Sequence, residues 1–372
     1  MADNTILYLE IAKTLTYSAV SFLLALWWAP LLIKLLNWAK FWKKKTREVA
    51  STGEDLVVTK KFYQENEGDR LVPRAGGILI WVTTLVLATF FWIVLKIEPT
   101  SKVSQFLNFV SRQETFIPLG TLFFGSMIGL IDDALVTMEG GGNYKAGGLK
   151  LSYRLIFISI LSLIIGFWFH FRLDFHKIYI FNWILDLQQL QMPFNMGSFG
   201  WLIIPIIILV LIGTWSSGII DGLDGLAAGV IIPIYLCFAG LSFARGFYDI
   251  ATFLMVMVGA TCAYLWFNIS PAKFFLGDTG AVGLLLTIAV VSVLINYIYI
   301  LPIAGFILVI TSLSAVIQVG SKKIFKKKVF LAAPFHHHLE AMGWTRSQIT
   351  YRYWLLSILT SSIALVIGLI FK

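Results

Sequence analysis

Gly218-Ile-Ile-Asp221-Gly222-Leu223-Asp224-Gly225-Leu-Ala-Ala-Gly229 stands directly between two long apolar runs. It sets two carboxylates three residues apart, each followed by glycine. An ionised Asp at mid-bilayer costs about 2.5–3.5 kcal/mol, so apolar packing alone gives no reason to keep two there. The glycines allow a tight turn and the close approach of something bulky, as in loops that cradle phosphates. An interfacial turn with helix-capping Asp is the plainer alternative. If the helix continues through the stretch, the spacing brings both carboxylates to one face. Two more carboxylate stretches fall on the same side of the membrane and favour a shared site.

The rest of the chain is built around apolar spans. Of 372 residues, 58% are hydrophobic and 13% charged, and the mean hydropathy is +0.82. A soluble globule is about one quarter charged, so this is an integral membrane protein. Cys237 and Cys262 lie inside apolar runs and read as buried small residues, neither a disulfide nor a metal pair. The first apolar run is long enough to span and no small-residue cleavage site follows it, so no cleavable signal is expected. The net charge of +9 reads first as topology, not as affinity for nucleic acid, and no nucleic-acid partner is expected.

Runs of spanning length occur at 12–36, 76–97, 116–135, 152–171, 200–217, 226–244, 249–268, 279–297, 299–320 and 353–371. The expected fold is an all-α polytopic membrane protein of ten helices, a single catalytic domain over 1–372. Asn296, Tyr297 and Tyr299 mark a very short turn between the eighth and ninth helices. Connections on one face hold 20 Lys and Arg against 6 on the other. The positive-inside rule makes the first set cytoplasmic and both termini external. Lys43-Lys44-Lys45-Thr46-Arg47 is most simply a lipid-headgroup anchor. The external connection 172–199 alternates around Asn182 and Asn195 and is expected to form a hairpin at the membrane surface.

Four stretches carry chemistry, all on the cytoplasmic face. Gly129-Leu-Ile-Asp132-Asp133 ends the third helix. Adjacent helical residues point about 100° apart, so the two carboxylates cannot share one buried partner. A frayed end facing water competes with a reading in which one carboxylate meets a metal or phosphate and the other acts as base or orienter. Asp221 and Asp224 are the second pair. Asp278, between Gly277 and Thr279-Gly280, reads alone as an N-cap. His336, His337 and His338 lack the usual zinc spacing of about three to five; beside a basic run they can bind phosphate and shuttle protons. Aspartates with few other ligands suit Mg²⁺, which completes its shell with water and substrate phosphates. Such a site does phosphoryl transfer, and the membrane location implies a lipid as one substrate.

These residues resemble the polyprenyl-phosphate N-acetylhexosamine-1-phosphate transferase superfamily, and within it the phospho-N-acetylmuramoyl-pentapeptide transferases. The resemblance covers nearly the whole chain. Its most specific part is Ala333-Pro-Phe-His336-His337-His338-Leu-Glu340-Ala-Met-Gly343-Trp344, followed by Ile349, Arg352 and Trp354, with Gln318-Val-Gly-Ser321 upstream. It implies transfer of phospho-N-acetylmuramoyl-pentapeptide from its UDP carrier to undecaprenyl phosphate, with Mg²⁺, in the bacterial cytoplasmic membrane. By resemblance Asp132 would deprotonate the polyprenyl phosphate with Asp133 beside it, and Asp278 would hold Mg²⁺. Asp221, Gly222, Leu223 and Asp224 would line a uridine pocket, with Asn268 contacting uracil and Phe275 stacking on it. His336, counted among the catalytic residues, and His337 would meet the diphosphate, with His338 among the substrate contacts.

The chain departs from the family pattern at three places. Gly218 stands where Asn is usual, and Val136 where Lys is usual. Asp69-Arg70-Leu-Val-Pro73-Arg74-Ala-Gly-Gly replaces a Lys and a Thr-Pro-Thr-Met-Gly-Gly run. A substitute for the missing cation is expected among Arg70, Arg74, Lys145 and Lys150, with Arg74 favoured because Pro73 and two glycines fix its direction. The rival readings are a cousin transferring an N-acetylhexosamine phosphate and, further off, an ion-coupled transporter. A homodimer is compatible with all three.

Overall fold

The computed structural model describes residues 2–42, 72–111, 114–138, 148–181, 183–190 and 198–371. Lys43 to Arg47, Arg70, Lys145, Asn182 and Asn195 lie outside them. The helices are α1 (Ala2–Trp38), α2 (Ile78–Ile97), α3 (Lys102–Leu107), α4 (Phe116–Thr137), α5 (Leu151–Arg172) and α6 (Ile203–Trp215). They continue with α7 (Leu226–Ala244), α8 (Tyr248–Asn268), α9 (Gly277–Leu294), α10 (Phe306–Phe325), α11 (Phe335–Ala341) and α12 (Arg346–Ile370). Ten of them, all but α3 and α11, are long and apolar enough to cross a membrane, α6 together with the 3₁₀ turns at its ends.

Most residues of α7, α8 and α9 are buried, against fewer than half in each of the other seven. These three form the centre, and the rest present apolar faces outward as a bilayer solvent requires. α4 lies along α9, α1 along α8 and α12 along α7. Small residues make the first of these contacts close. A Cβ on Gly129 would fall 2.1 Å from the backbone oxygen of Asp278, and one on Gly283 would fall 2.1 Å from Ser126 Oγ. Helices that associate without a hydrophobic drive rely on such close backbone approach. The consequence is functional, because it carries the acidic end of α4 against the start of α9.

Several spans differ from the apolar runs at their ends. α12 begins at Arg346, ahead of the run, because Thr345 and Gln348 form a capping box. α9 ends at Leu294, and Asn296 turns the chain with φ 61°. A single turn at Leu301–Ala304 then precedes α10. The expected hairpin is present as antiparallel β1 (Lys177–Ile180) and β2 (Trp183–Asp186), with Ile180 opposite Trp183. α3 and α11 are too short and too polar to register as apolar runs.

Candidate active site

Asp132 and Asp133, both buried, lie near the C-terminal end of α4, which runs on to Thr137. They are not a frayed end facing water, and each has its own partners, as their angular separation requires. Asp132 accepts from the Leu149 backbone N–H at 2.6 Å and from Arg154 Nη2 at 2.6 Å. Asp133 accepts from the Thr279 backbone N–H at 2.9 Å, the Thr279 hydroxyl at 2.8 Å and Arg74 Nε at 3.3 Å. Gly277 must be glycine here: its φ is +71°, and a Cβ would fall 2.2 Å from Asp133 Oδ2.

Asp278 is not an N-cap. It lies in the first turn of α9, whose N-cap is Leu276. It also has a charge partner that its glycine-rich setting does not suggest, Arg154 Nη1 at 3.2 Å from Oδ2. One guanidinium thus bridges Asp132 and Asp278. Sequence reasoning overlooked Arg154. The signal was present, since an arginine one turn inside an apolar helix needs a carboxylate or an exit to water.

Asp221 and Asp224 do not share a helix face. The helical chain ends at Ile220, Asp221 is its C-cap, and α7 starts only after Gly225 in the left-handed region. The two carboxylates therefore diverge. Asp221 accepts from the Gly277 N–H at 2.9 Å and Asp224 from the Ala272 N–H at 3.2 Å. Burial pushes Asp221 up to about 6, against the opposing pull of Arg74 and the Gly277 N–H. Leu223 is buried among apolar residues and Gly222 is exposed.

Arg74 is fixed by its neighbours. Phe275 N–H donates to Pro73 O at 2.8 Å, and Gly76 N–H to Phe275 O at 2.7 Å. Burial disfavours its charge, yet Asp133, Asp278 and Asp221 outweigh that and hold it above its ordinary value. Asn268 uses both ends of its amide internally, accepting from Gly225 N–H at 2.9 Å and donating to Phe274 O at 2.8 Å. It clamps the Asp224 loop to the Phe274 loop, and half-buried Phe275 lies next to that clamp.

The three histidines fall on α11 and separate. His336 is fully buried and neither ring nitrogen has a hydrogen-bond partner among the described residues. A Cβ on Gly222 would fall 2.7 Å from its Nε2. Burial, reinforced by His337, lowers His336 to about 3, so the ring is neutral. His337 Nδ1 lies 2.9 Å from Glu340 Oε2. Burial works against the Glu340 charge, but His337 and Arg346 hold its carboxyl down at about 2. His338 does not join them: its Nδ1 accepts from the Leu331 N–H at 3.2 Å and its ring packs on Phe330 and Phe335.

Asp132, Asp133, Asp221 and Asp278 thus meet around the start of α9, with Arg74 and Arg154 between them and His336 facing Gly222. Among the described residues no group of three or more His, Cys, Asp or Glu is arranged to hold a metal alone. The bridged Asp132–Asp278 pair nonetheless fits Mg²⁺, which needs only one or two carboxylates when a substrate supplies phosphate oxygens.

Residues 115–296, which carry all the site aspartates, match the family described as Glycosyl transferase family 4. A phospho-N-acetylmuramoyl-pentapeptide-transferase of Geobacillus thermodenitrificans is 32% identical over 94% of this chain and 96% of its own. One of Sulfurimonas denitrificans is 29% identical over 98% and 97%, and one of Bartonella quintana 33% identical over 79% and 78%. Similarity that runs end to end, through the aspartates and the histidine helix alike, means that the chain belongs to the phospho-N-acetylmuramoyl-pentapeptide-transferase family.

Proposed function

We propose that this chain transfers phospho-N-acetylmuramoyl-pentapeptide from its UDP carrier to undecaprenyl phosphate in the bacterial inner membrane, releasing UMP. The carrying observation is the convergence of Asp132, Asp133, Asp221 and Asp278 with Arg74 and Arg154 at one end of the helices. Phosphoryl transfer asks the protein mainly for positioning and charge neutralisation, and this cluster has the groups for both. An oxygen of the lipid phosphate attacks the sugar-linked phosphorus. The bond to the bridging oxygen breaks, and that oxygen leaves with UMP.

In this reading Asp278 would hold Mg²⁺ beside Asp132, and the ion would neutralise charge on the diphosphate. Asp132 takes the proton of a monoprotonated acceptor, and Asp133 holds Arg74 and the start of α9 in register. His336 is neutral, so one ring nitrogen donates and the other accepts; the N–H is the one that can bond a diphosphate oxygen. Asp224, Asn268 and Phe275 frame the nucleoside end. The chain is a single catalytic unit with both termini outside and the site at the cytoplasmic face, as the Lys and Arg asymmetry supports.

The test is to incubate purified protein with Mg²⁺, undecaprenyl phosphate and either UDP-N-acetylmuramoyl-pentapeptide or UDP-N-acetylglucosamine, and to measure UMP. Release with the first donor alone is expected. Release with the second alone would move the chain to the N-acetylhexosamine branch.

A further inference from the structure

Arg154 occupies the first turn of α5, and its whole guanidinium is engaged. Nη2 lies 2.6 Å from Asp132 Oδ2, Nη1 lies 3.2 Å from Asp278 Oδ2, and Nε donates to Leu149 O at 3.2 Å. The carboxylates come from different helices, α4 and α9, brought together where Gly129 meets the Asp278 backbone. The Arg154 and Asp278 side chains each keep 28% exposure, whereas Asp132 keeps 3%. The contact to Asp278 is thus the longer and more open of the two, and the contact to Asp132 the shorter and more enclosed.

We propose that Arg154 is a resident counter-ion of the metal site, which holds the Asp132–Asp278 pair together and competes with the divalent cation for Asp278. The inference rests on the reading of Asp278 as a metal ligand. Two carboxylates this close repel one another, and a positive charge between them relieves that. The same charge repels an arriving cation. Binding of the ion therefore displaces the guanidinium from Asp278 while its bonds to Asp132 and Leu149 keep it nearby. An arginine holding only structure would have no effect of this sign, because deleting it would loosen the site and weaken cation binding.

The experiment measures Mn²⁺ binding by electron paramagnetic resonance on purified protein in detergent, with no substrate present. Arg154→Gln is expected to bind Mn²⁺ at least tenfold more tightly than the wild type, and Arg154→Lys within about threefold of it. Asp278→Asn is expected to lose most binding. Unchanged or weaker binding by Arg154→Gln, with Asp278→Asn impaired, overturns the counter-ion. Wild-type binding by Asp278→Asn overturns the ligand assignment itself. Should Arg154→Gln fail to fold, the wild type decides through phenylglyoxal labelling read by mass spectrometry of the peptide containing Arg154. Mg²⁺ is expected to raise that labelling, and no change overturns the proposal.

Discussion

The acidic floor at the start of α9 and the histidine helix α11 face each other across Gly222, and they are built on opposite terms. On the floor Asp132, Asp133 and Asp221 each accept from backbone N–H groups or cations, and glycine contacts lock the supporting helices together. α11 is a short helix hung on a loop. Gln318 holds that loop through the Val329 and Phe330 backbone, Ser314 accepts from the Phe335 N–H, and Glu340 ties His337 to Arg346. Yet α11 carries the ring of His336, whose nitrogens have no partner among the described residues. A satisfied floor is preorganised for charge. A buried imidazole with unmet hydrogen-bonding capacity leaves a cost of about 1–3 kcal/mol, which a ligand would relieve.

That contrast predicts different kinds of damage. The largest is on the floor: Asp278→Asn is expected to lower UMP release at least a thousandfold, about 4 kcal/mol of transition-state stabilisation, while the melting temperature stays within a few degrees. Near-normal turnover by this variant would remove Asp278 from the mechanism.

His336→Gln is expected to lower turnover by about a hundredfold and also to change stability with pH. A folded-state pKa of about 3 lies below the ordinary value of about 6.5. The unfolded chain therefore binds a proton that the folded protein refuses, and stability falls as pH drops below 6.5. At pH 5.5 the loss relative to pH 7.5 is about 1 kcal/mol, and His336→Gln should abolish that part of it. Thermal unfolding at the two pH values reads this directly, and equal acid sensitivity in both proteins would contradict a buried neutral ring.

Arg74→Ala tests the floor more gently. Asp133 keeps its two Thr279 donors, so the fold should survive. The KM for the UDP-linked donor is expected to rise about tenfold, or 1.4 kcal/mol. Asp221, already raised to about 6 and restrained by Arg74, should rise further. The acid limb of kcat/KM then shifts to higher pH, and a limb that stays in place would separate Asp221 from activity.

The smallest effect lies where α12 supports the turn between the two regions. Trp354 donates to Gly225 O at 3.0 Å and Thr350 to Asp224 O at 3.3 Å. Trp354→Phe keeps most of the ring and is expected to lose about 1 kcal/mol of stability with a threefold or smaller loss in turnover.

All ten spans were legible because a bilayer demands about 20 apolar residues from each, and that demand is local. The aspartates, Arg74 and the histidines were legible as residues for the same reason, since charge beside an apolar run is costly wherever it ends up. Direction was not legible. Whether Asp221 and Asp224 share a face depends on where the helix stops. His338 turns away because α11 packs on Phe330, a contact outside the tract itself. Arg154 became the partner of Asp132 and Asp278 only because Gly129 lets α4 close on α9. The sequence by itself determined which groups sit at the membrane boundary, because transfer free energy is a property of each segment alone. Which carboxylate meets which cation was decided by the tertiary structure, because ion pairing depends on distances of a few ångströms between helices far apart in the chain.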